Sequence, residues 1–126
     1  MVRGIGIDIV DISRIKKLIE RYGDNFLKKV FTPNEIHYCI SKAKPWIHFS
    51  GRWAAKEAFY KALPVSVQPH STWKSIEVVK NRSSGQPVVS VCTDILKINL
   101  EQHTVSEIML SISHEQSICT AMVVLQ

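Results

Sequence analysis

GRWAAKEAFYKAL, residues 51–63, predicts a helix, because it is rich in Ala, Lys, Glu and Leu and contains no proline. At about 100° per residue, its apolar side chains gather on one face. These side chains are Ala54, Ala55, Ala58, Phe59, Ala62 and Leu63. Since most of them are alanines, a neighbouring backbone can come close, and we expect another element to pack tightly against this face.

The other face of the same helix carries Trp53, Glu57 and Lys61 at a spacing of four residues, with Tyr60 beside them. A Glu followed by a Lys four positions later is a routine surface pair worth about 0.2–0.5 kcal/mol. The same stripe could instead form one wall of a site. The helix alone favours a solvated face.

The rest of the chain predicts an α+β fold in which an antiparallel sheet packs against this long central helix. Asp11 and Thr32 are expected N-caps, the latter in a capping box with Glu35, and Thr93 is expected to cap the last helix. Predicted helices cover residues 12–22, 24–31, 33–42, 46–63 and 93–104, and predicted strands cover 2–10, 73–81, 87–92, 106–113 and 118–126.

Length and composition indicate a single domain spanning residues 1–126. The apolar fraction of 45% and charged fraction of 21% are those of an ordinary globular chain, and the net charge of +5 suits an acidic or phosphorylated partner. The three cysteines form no CxxC, which disfavours a zinc site or a disulfide framework. Without a signal peptide or a long apolar run, we expect a cytoplasmic protein with no membrane contact.

Asp8 is the first candidate for chemistry. In the strand VRGIGIDIV, the isoleucines fall on one face, and Gly4, Gly6 and Asp8 fall on the other. A buried carboxylate is costly unless it is paired or bound to a cation. Asp8 is therefore either a strand-end residue in water or part of a site.

Together, Asp8 and Glu57 would supply the sparse oxygen ligands that Mg²⁺ prefers, with the remaining positions left for water and a substrate phosphate. Lys61 lies one turn beyond Glu57 and could reach a phosphoryl oxygen of that substrate. This combination predicts metal-dependent phosphoryl chemistry.

Two further features have either a purely structural or a functional interpretation. Arg14, Lys17 and Arg21 share one face of the first helix, which is either solvated or a docking surface for an acidic protein. Ser113 and His114, at the last hairpin, either bind phosphate or belong to an ordinary turn. Nucleic-acid binding has no supporting motif.

Four blocks in order along the chain, GIGIDIVDISRI, FSGRWAAKEAFYKAL, NRSSGQPVV and LSISHEQSICTAMVV, resemble the bacterial holo-acyl-carrier-protein synthases. These are the short class of 4′-phosphopantetheinyl transferases. The resemblance implies their fold and the transfer of phosphopantetheine from coenzyme A to a serine of acyl carrier protein. It also implies Mg²⁺ held by Asp8 and Glu57, with Glu57 and Lys61 in catalysis.

The same resemblance implies partners and contacts. Arg14, Lys17 and Arg21 match the surface that docks the acidic carrier protein, and the family is typically homotrimeric with sites between subunits. Lys61 is implied to contact phosphate. Contacts to the adenosine 3′-phosphate end of coenzyme A are implied for Lys42, Lys44, Arg52, Ser113 and His114. One block departs from the family: PVSVQPHST, residues 64–72, stands where a glycine-rich loop is usual.

Two other functions fit some of these residues. A metal-dependent phosphohydrolase would use the same carboxylate pair without a carrier protein. A non-catalytic basic adaptor would bind acidic proteins or RNA without needing a metal.

Overall fold

The computed structural model describes every residue from Met1 to Gln126 and has the predicted α+β class. A short 3₁₀ turn, Gln68–His70, lies in the segment predicted as a loop. The helices are α1 (Ile12–Tyr22), α2 (Asp24–Val30), α3 (Pro33–Ile40), α4 (Pro45–Ala62) and α5 (Asp94–Gln102). The strands are β1 (Gly4–Asp11), β2 (Ile76–Lys80), β3 (Pro87–Val91), β4 (Ile108–Glu115) and β5 (Ile118–Leu125).

The strands form two antiparallel sheets rather than one. The larger has the order β1-β5-β4, so that the first and last strands of the chain are neighbours, and β2 pairs with β3 in the smaller. Helix α4 packs along the larger sheet. Its close approach depends on Gly4 and Gly6, where an added methyl group would overlap the carbonyl oxygens of Ala62 and Ala58.

The apolar face predicted for the central helix is confirmed. All six of its predicted packing residues are buried, and they belong to one hydrophobic cluster that includes Phe31 and Phe49. The helix begins at Pro45, since proline is well suited to the first helical position, where its missing N–H has no partner to lose. It ends before Leu63, which is extended because Pro64 follows it.

Two of the three predicted caps form as expected. The Asp11 carboxylate accepts from the Ser13 amide, and Thr32 and Glu35 form the complete capping box. The prediction for Thr93 is wrong: it occupies the N-cap position of α5, but its hydroxyl makes no capping bond and is buried without a partner.

A buried ion pair, which the sequence pattern did not indicate, joins three parts of the fold. The Lys56 ammonium lies 2.9 Å from a Glu35 carboxylate oxygen and donates to the carbonyls of Trp73 and Ile76. The other Glu35 oxygen accepts from the Val78 amide. The predicted strand 73–81 narrows to β2, because residues 72–75 form a turn in which the Ser75 amide donates to the Thr72 carbonyl.

No helix of the chain has both the length and the apolar character needed to span a bilayer.

Candidate active site

The structure brings Asp8 and Lys61 together where β1 passes under α4. Asp8 lies on the glycine face of β1 and is largely buried, and the Lys61 ammonium lies 3.0 Å from its Oδ1 atom. Lys61 also donates to the carbonyl of Ile7 at 3.2 Å. These two predicted residues therefore occupy one site.

Glu57 is half-buried one turn before Lys61 and belongs to the same electrostatic site. Burial raises the pKa of Glu57 most, the negative charge of Asp8 raises it further, and Lys61 and Arg14 oppose the rise. Glu57 also lines a cavity of about 370 Å³ together with Lys56, Tyr60, Trp73 and Thr72. Of the three site residues, Glu57 lines this cavity, and Asp8 and Lys61 lie beside Glu57 outside its lining.

These residues fit the Mg²⁺ predicted from the sequence. Asp8 and Glu57 repel each other, which adds to the effect of burial in raising the pKa of Glu57, and a bound cation would relieve that repulsion. No third His, Cys, Asp or Glu joins them. Such a sparse set is typical of Mg²⁺, which uses one or two carboxylates plus water and phosphate oxygens, and unlike a closed zinc site.

The glycine-free loop after α4 offers few free backbone donors. The amides of Val67 and Gln68 both donate to the Pro64 carbonyl, and those of His70 and Ser71 donate to carbonyls within the 3₁₀ turn. Val67 is fully buried and anchors the loop. Only the amides of Val65 and Ser66 remain free to donate, so a phosphate at this place would be held mainly by side chains.

A second charged site lies at the opposite end of α4. His48 is half-buried, and four basic residues from three elements and a loop lower its pKa. We call these four residues the cation cluster. They are Lys42, Arg52, Lys80 and His114. Three of them were predicted to contact the adenosine end of coenzyme A, and the structure places those three close together.

Arg52 is the central member of the cation cluster. It is only 8% exposed, and its Nε atom has no hydrogen-bond partner. Its guanidinium lies 4.2 Å from the centre of the Tyr38 ring, and Lys42 lies 4.6 Å from the same centre. Arg52, Tyr38 and Lys80 line a cavity of about 330 Å³. A buried guanidinium without an acceptor is suited to an anionic ligand.

The two remaining predicted contacts are Lys44 and Ser113, of which Ser113 shares a groove of about 390 Å³ with His114. Lys44 is exposed at the N-cap of α4 and is not among the charges acting on His48. Ser113 precedes His114 on β4, and successive strand residues face opposite sides of a sheet. His114 therefore lies on the α4 side, and Ser113 lies on the outer face.

The predicted docking residues form one surface. Arg14, Lys17 and Arg21 line a groove of about 330 Å³ on α1. The Arg14 guanidinium lies 5.7 Å from the centre of the Trp53 ring, which stacks on Trp73 at 4.5 Å. Since the charge of Arg14 also lowers the pKa of Glu57, this surface adjoins the carboxylate site.

The carboxylate site and the cation cluster do not meet within one chain. Arg52 and Glu57 are separated on α4 by about 140° of rotation, since each residue turns the helix by about 100°. The cavity beside Glu57 and the cavity beside Arg52 share no residue. Within one chain, the two sites therefore lie on different sides of α4.

Comparison with known proteins agrees with this geometry. The model of the 4′-phosphopantetheinyl transferase superfamily matches residues 4–121. The chain is 42% identical over 126 residues to a holo-[acyl-carrier-protein] synthase of Syntrophus aciditrophicus, with 100% of this chain and 97% of that protein covered. It is 43% identical over 121 residues to one of Chlamydia trachomatis, with 96% and 97% covered.

Solved structures of the same kind of enzyme match over nearly their whole length. The synthase of Neisseria meningitidis has a TM-score of 0.85 at 31% identity, with 100% of this chain and 99% of that chain covered. The synthase of Helicobacter pylori in complex with coenzyme A has a TM-score of 0.81 at 31% identity, with 97% and 99% covered. The chain belongs to the 4′-phosphopantetheinyl transferase superfamily and, within it, to the holo-[acyl-carrier-protein] synthases.

Proposed function

We propose that this enzyme transfers the 4′-phosphopantetheine group of coenzyme A to a serine of apo-acyl carrier protein and releases adenosine 3′,5′-bisphosphate. The holo-carrier protein so formed serves fatty acid biosynthesis. The observation that carries the proposal is the site of Asp8, Glu57 and Lys61, of which Glu57 lines an open cavity, in a chain that matches holo-[acyl-carrier-protein] synthases from end to end.

Asp8 and Glu57 would hold Mg²⁺, and the ion would neutralise charge on the pyrophosphate of coenzyme A. Lys61 donates to a phosphate oxygen after leaving Asp8, a short movement for a half-exposed side chain. The serine oxygen attacks the β-phosphorus, the bond from phosphorus to the bridging oxygen breaks, and Glu57 accepts the serine proton.

The first experiment is the intact mass of apo-acyl carrier protein after incubation with the enzyme, coenzyme A and Mg²⁺, with and without EDTA. A gain of one phosphopantetheine group that EDTA prevents would support the transferase. Release of phosphate without carrier modification would indicate the phosphohydrolase instead. Carrier binding without any chemistry would indicate the adaptor.

We expect Arg14→Ala to raise the KM for acyl carrier protein about tenfold with a smaller effect on kcat, because docking charges act chiefly on association. Steady-state kinetics with varied carrier protein would measure it. Lys97→Ala, an exposed basic residue on α5, is the matched control and should leave KM unchanged. An equal KM in the wild type and Arg14→Ala would contradict docking through α1.

The predicted homotrimer is supported by a continuous apolar surface on the outer face of the larger sheet. Ile7, paired with Met122 across the sheet, is 61% exposed, and single chains rarely leave so much contiguous apolar area in water. The exposed residues are Ile5, Ile7, Ile9, Met109, Ile118 and Met122.

We expect Ile5→Glu to convert the trimer to monomers and to remove most of the activity, because it places a charge within this apolar surface. Light scattering coupled to size exclusion would give the mass. Ile98→Glu, at an exposed residue of α5, should remain trimeric and active. A monomeric wild type, or a trimeric Ile5→Glu variant, would refute assembly through this face.

A further inference from the structure

Three members of the cation cluster, Lys42, Arg52 and Lys80, have no carboxylate partner in the free protein. The chain has two ion pairs, Lys56 with Glu35 and Lys61 with Asp8, and neither involves a member of the cluster. Instead, the Tyr38 ring holds Arg52 and Lys42 by cation–π contacts, which position both cations without neutralising them. A site built this way retains its attraction for an anion.

His48 lies close enough to all four members of the cluster for them to lower its pKa. It is one helical turn before Arg52 on α4, and its ring meets the edge of the Tyr38 ring with 5.9 Å between centres. The charged groups that act on it are Arg52 of α4, Lys42 of the α3–α4 connection, Lys80 of β2 and His114 of β4. No carboxylate is among them. Burial lowers the pKa of His48 and these charges lower it further, so the imidazole is neutral at pH 7.

We propose that His48 is a further coenzyme A-binding residue, which takes up a proton when a phosphate monoester binds at the cation cluster. The inference rests on the proposed function, because coenzyme A supplies that phosphate. His48 thereby becomes an additional cation only in the liganded enzyme.

The physical cause is the charge of the ligand. A phosphate monoester carries about −1.5 to −2 charges at pH 7 and offsets the repulsion that keeps His48 neutral. The proton uptake has a defined sign in binding: affinity rises as pH falls, because the complex holds more protons than the free partners. The phosphate itself has the opposite tendency, since surrounding cations favour loss of its own proton.

The test is calorimetric titration with coenzyme A at pH 7 and pH 8 in buffers of different ionisation heat, using the wild type, His48→Gln and His37→Gln. His37 is an exposed histidine on α3 and serves as the control. We expect the wild type and His37→Gln to take up about half a proton more than His48→Gln, and to gain about threefold more affinity between pH 8 and pH 7. With dephospho-coenzyme A, which lacks the phosphate monoester, the three proteins should agree.

Equal proton uptake by the wild type and His48→Gln would overturn the proposal, although both still bound coenzyme A. No binding of coenzyme A by the wild type would instead contradict the proposed function. A second measurement does not depend on a variant: in the wild-type NMR spectrum, the His48 ring protons should titrate at higher pH with coenzyme A present. An unchanged titration of His48 would also overturn the proposal.

Discussion

Glu57→Gln is expected to lower kcat/KM by about a thousandfold or more while leaving the fold intact. A neutral amide removes one of the two carboxylates available to Mg²⁺ and the group that accepts the serine proton, and together these supply several kcal/mol of transition-state stabilisation. Mass-spectrometric assay of carrier modification would measure the loss. Glu101→Gln, at an exposed position on α5, should keep wild-type activity.

The same substitution should stabilise the metal-free protein at neutral pH. The pKa of Glu57 is raised in the folded state, chiefly by burial. The free energy that this residue contributes to folding is therefore complete at a pH below its pKa in the unfolded chain, and it is lost as the pH rises through its pKa in the folded protein. Glutamine has no charge to desolvate. In EDTA, the Tm of Glu57→Gln should therefore exceed that of the wild type at pH 7.5 by more than at pH 4.5.

Two other outcomes would contradict this account of Glu57. Near-normal turnover by Glu57→Gln would exclude it from metal binding and proton transfer. A variant that is inactive but less stable at pH 7.5 than the wild type would show that the carboxylate supports the fold, and the lost activity would then say nothing of catalysis.

The carboxylate site could be predicted from the sequence because its signals are local. An acid on the glycine face of a strand and an i, i+4 pair on a helix are both visible within a few residues. The alanine face of α4 and the glycines of β1 also predict which face of each element meets the other. The proximity of Asp8 and Lys61 can then be predicted as well, since both residues flank that contact.

The buried ion pair could not be predicted in the same way. Lys56 lies next to Glu57 in a helix rich in charge, where an exposed lysine is the ordinary expectation. Its burial depends on Glu35, on another helix, and on the carbonyls of Trp73 and Ile76 in the chain before β2. Only the tertiary fold supplies all of these acceptors, and a lysine can be buried where they are complete.

The cation cluster was partly predicted, for a related reason. The family resemblance indicated Lys42, Arg52 and His114, which come from three separate parts of the chain. His48 has no signal of its own, because its significance is the sum of charges brought by other elements. The spacing of four residues from His48 to Arg52 is the one local hint, and it matters only once the charges around both are known.

Gly6→Ala is expected to destabilise the fold by about 3 kcal/mol or more, a large part of the total stability of such a domain. The added methyl group would overlap the carbonyl oxygen of Ala58 and crowd the amide of Ala62. Both are backbone atoms inside α4, so relief requires the helix to move away from β1. Chemical denaturation followed by circular dichroism would measure the loss, and a shift of α4 would also separate Lys61 from Asp8.

Gly51→Ala is the matched control because it also adds one methyl group to a glycine, in this case on α4, the helix that packs against β1. Its added methyl would meet a side-chain carbon of Ile112 at 3.3 Å, and a side chain can yield by a few tenths of an ångström. Replacing a helix-interior glycine with alanine also gains about 1 kcal/mol of helix propensity. Gly51→Ala should therefore be as stable as the wild type or slightly more so. If Gly6→Ala were equally harmless, the close approach of α4 to β1 would not be what fixes the position of Asp8 beneath Lys61.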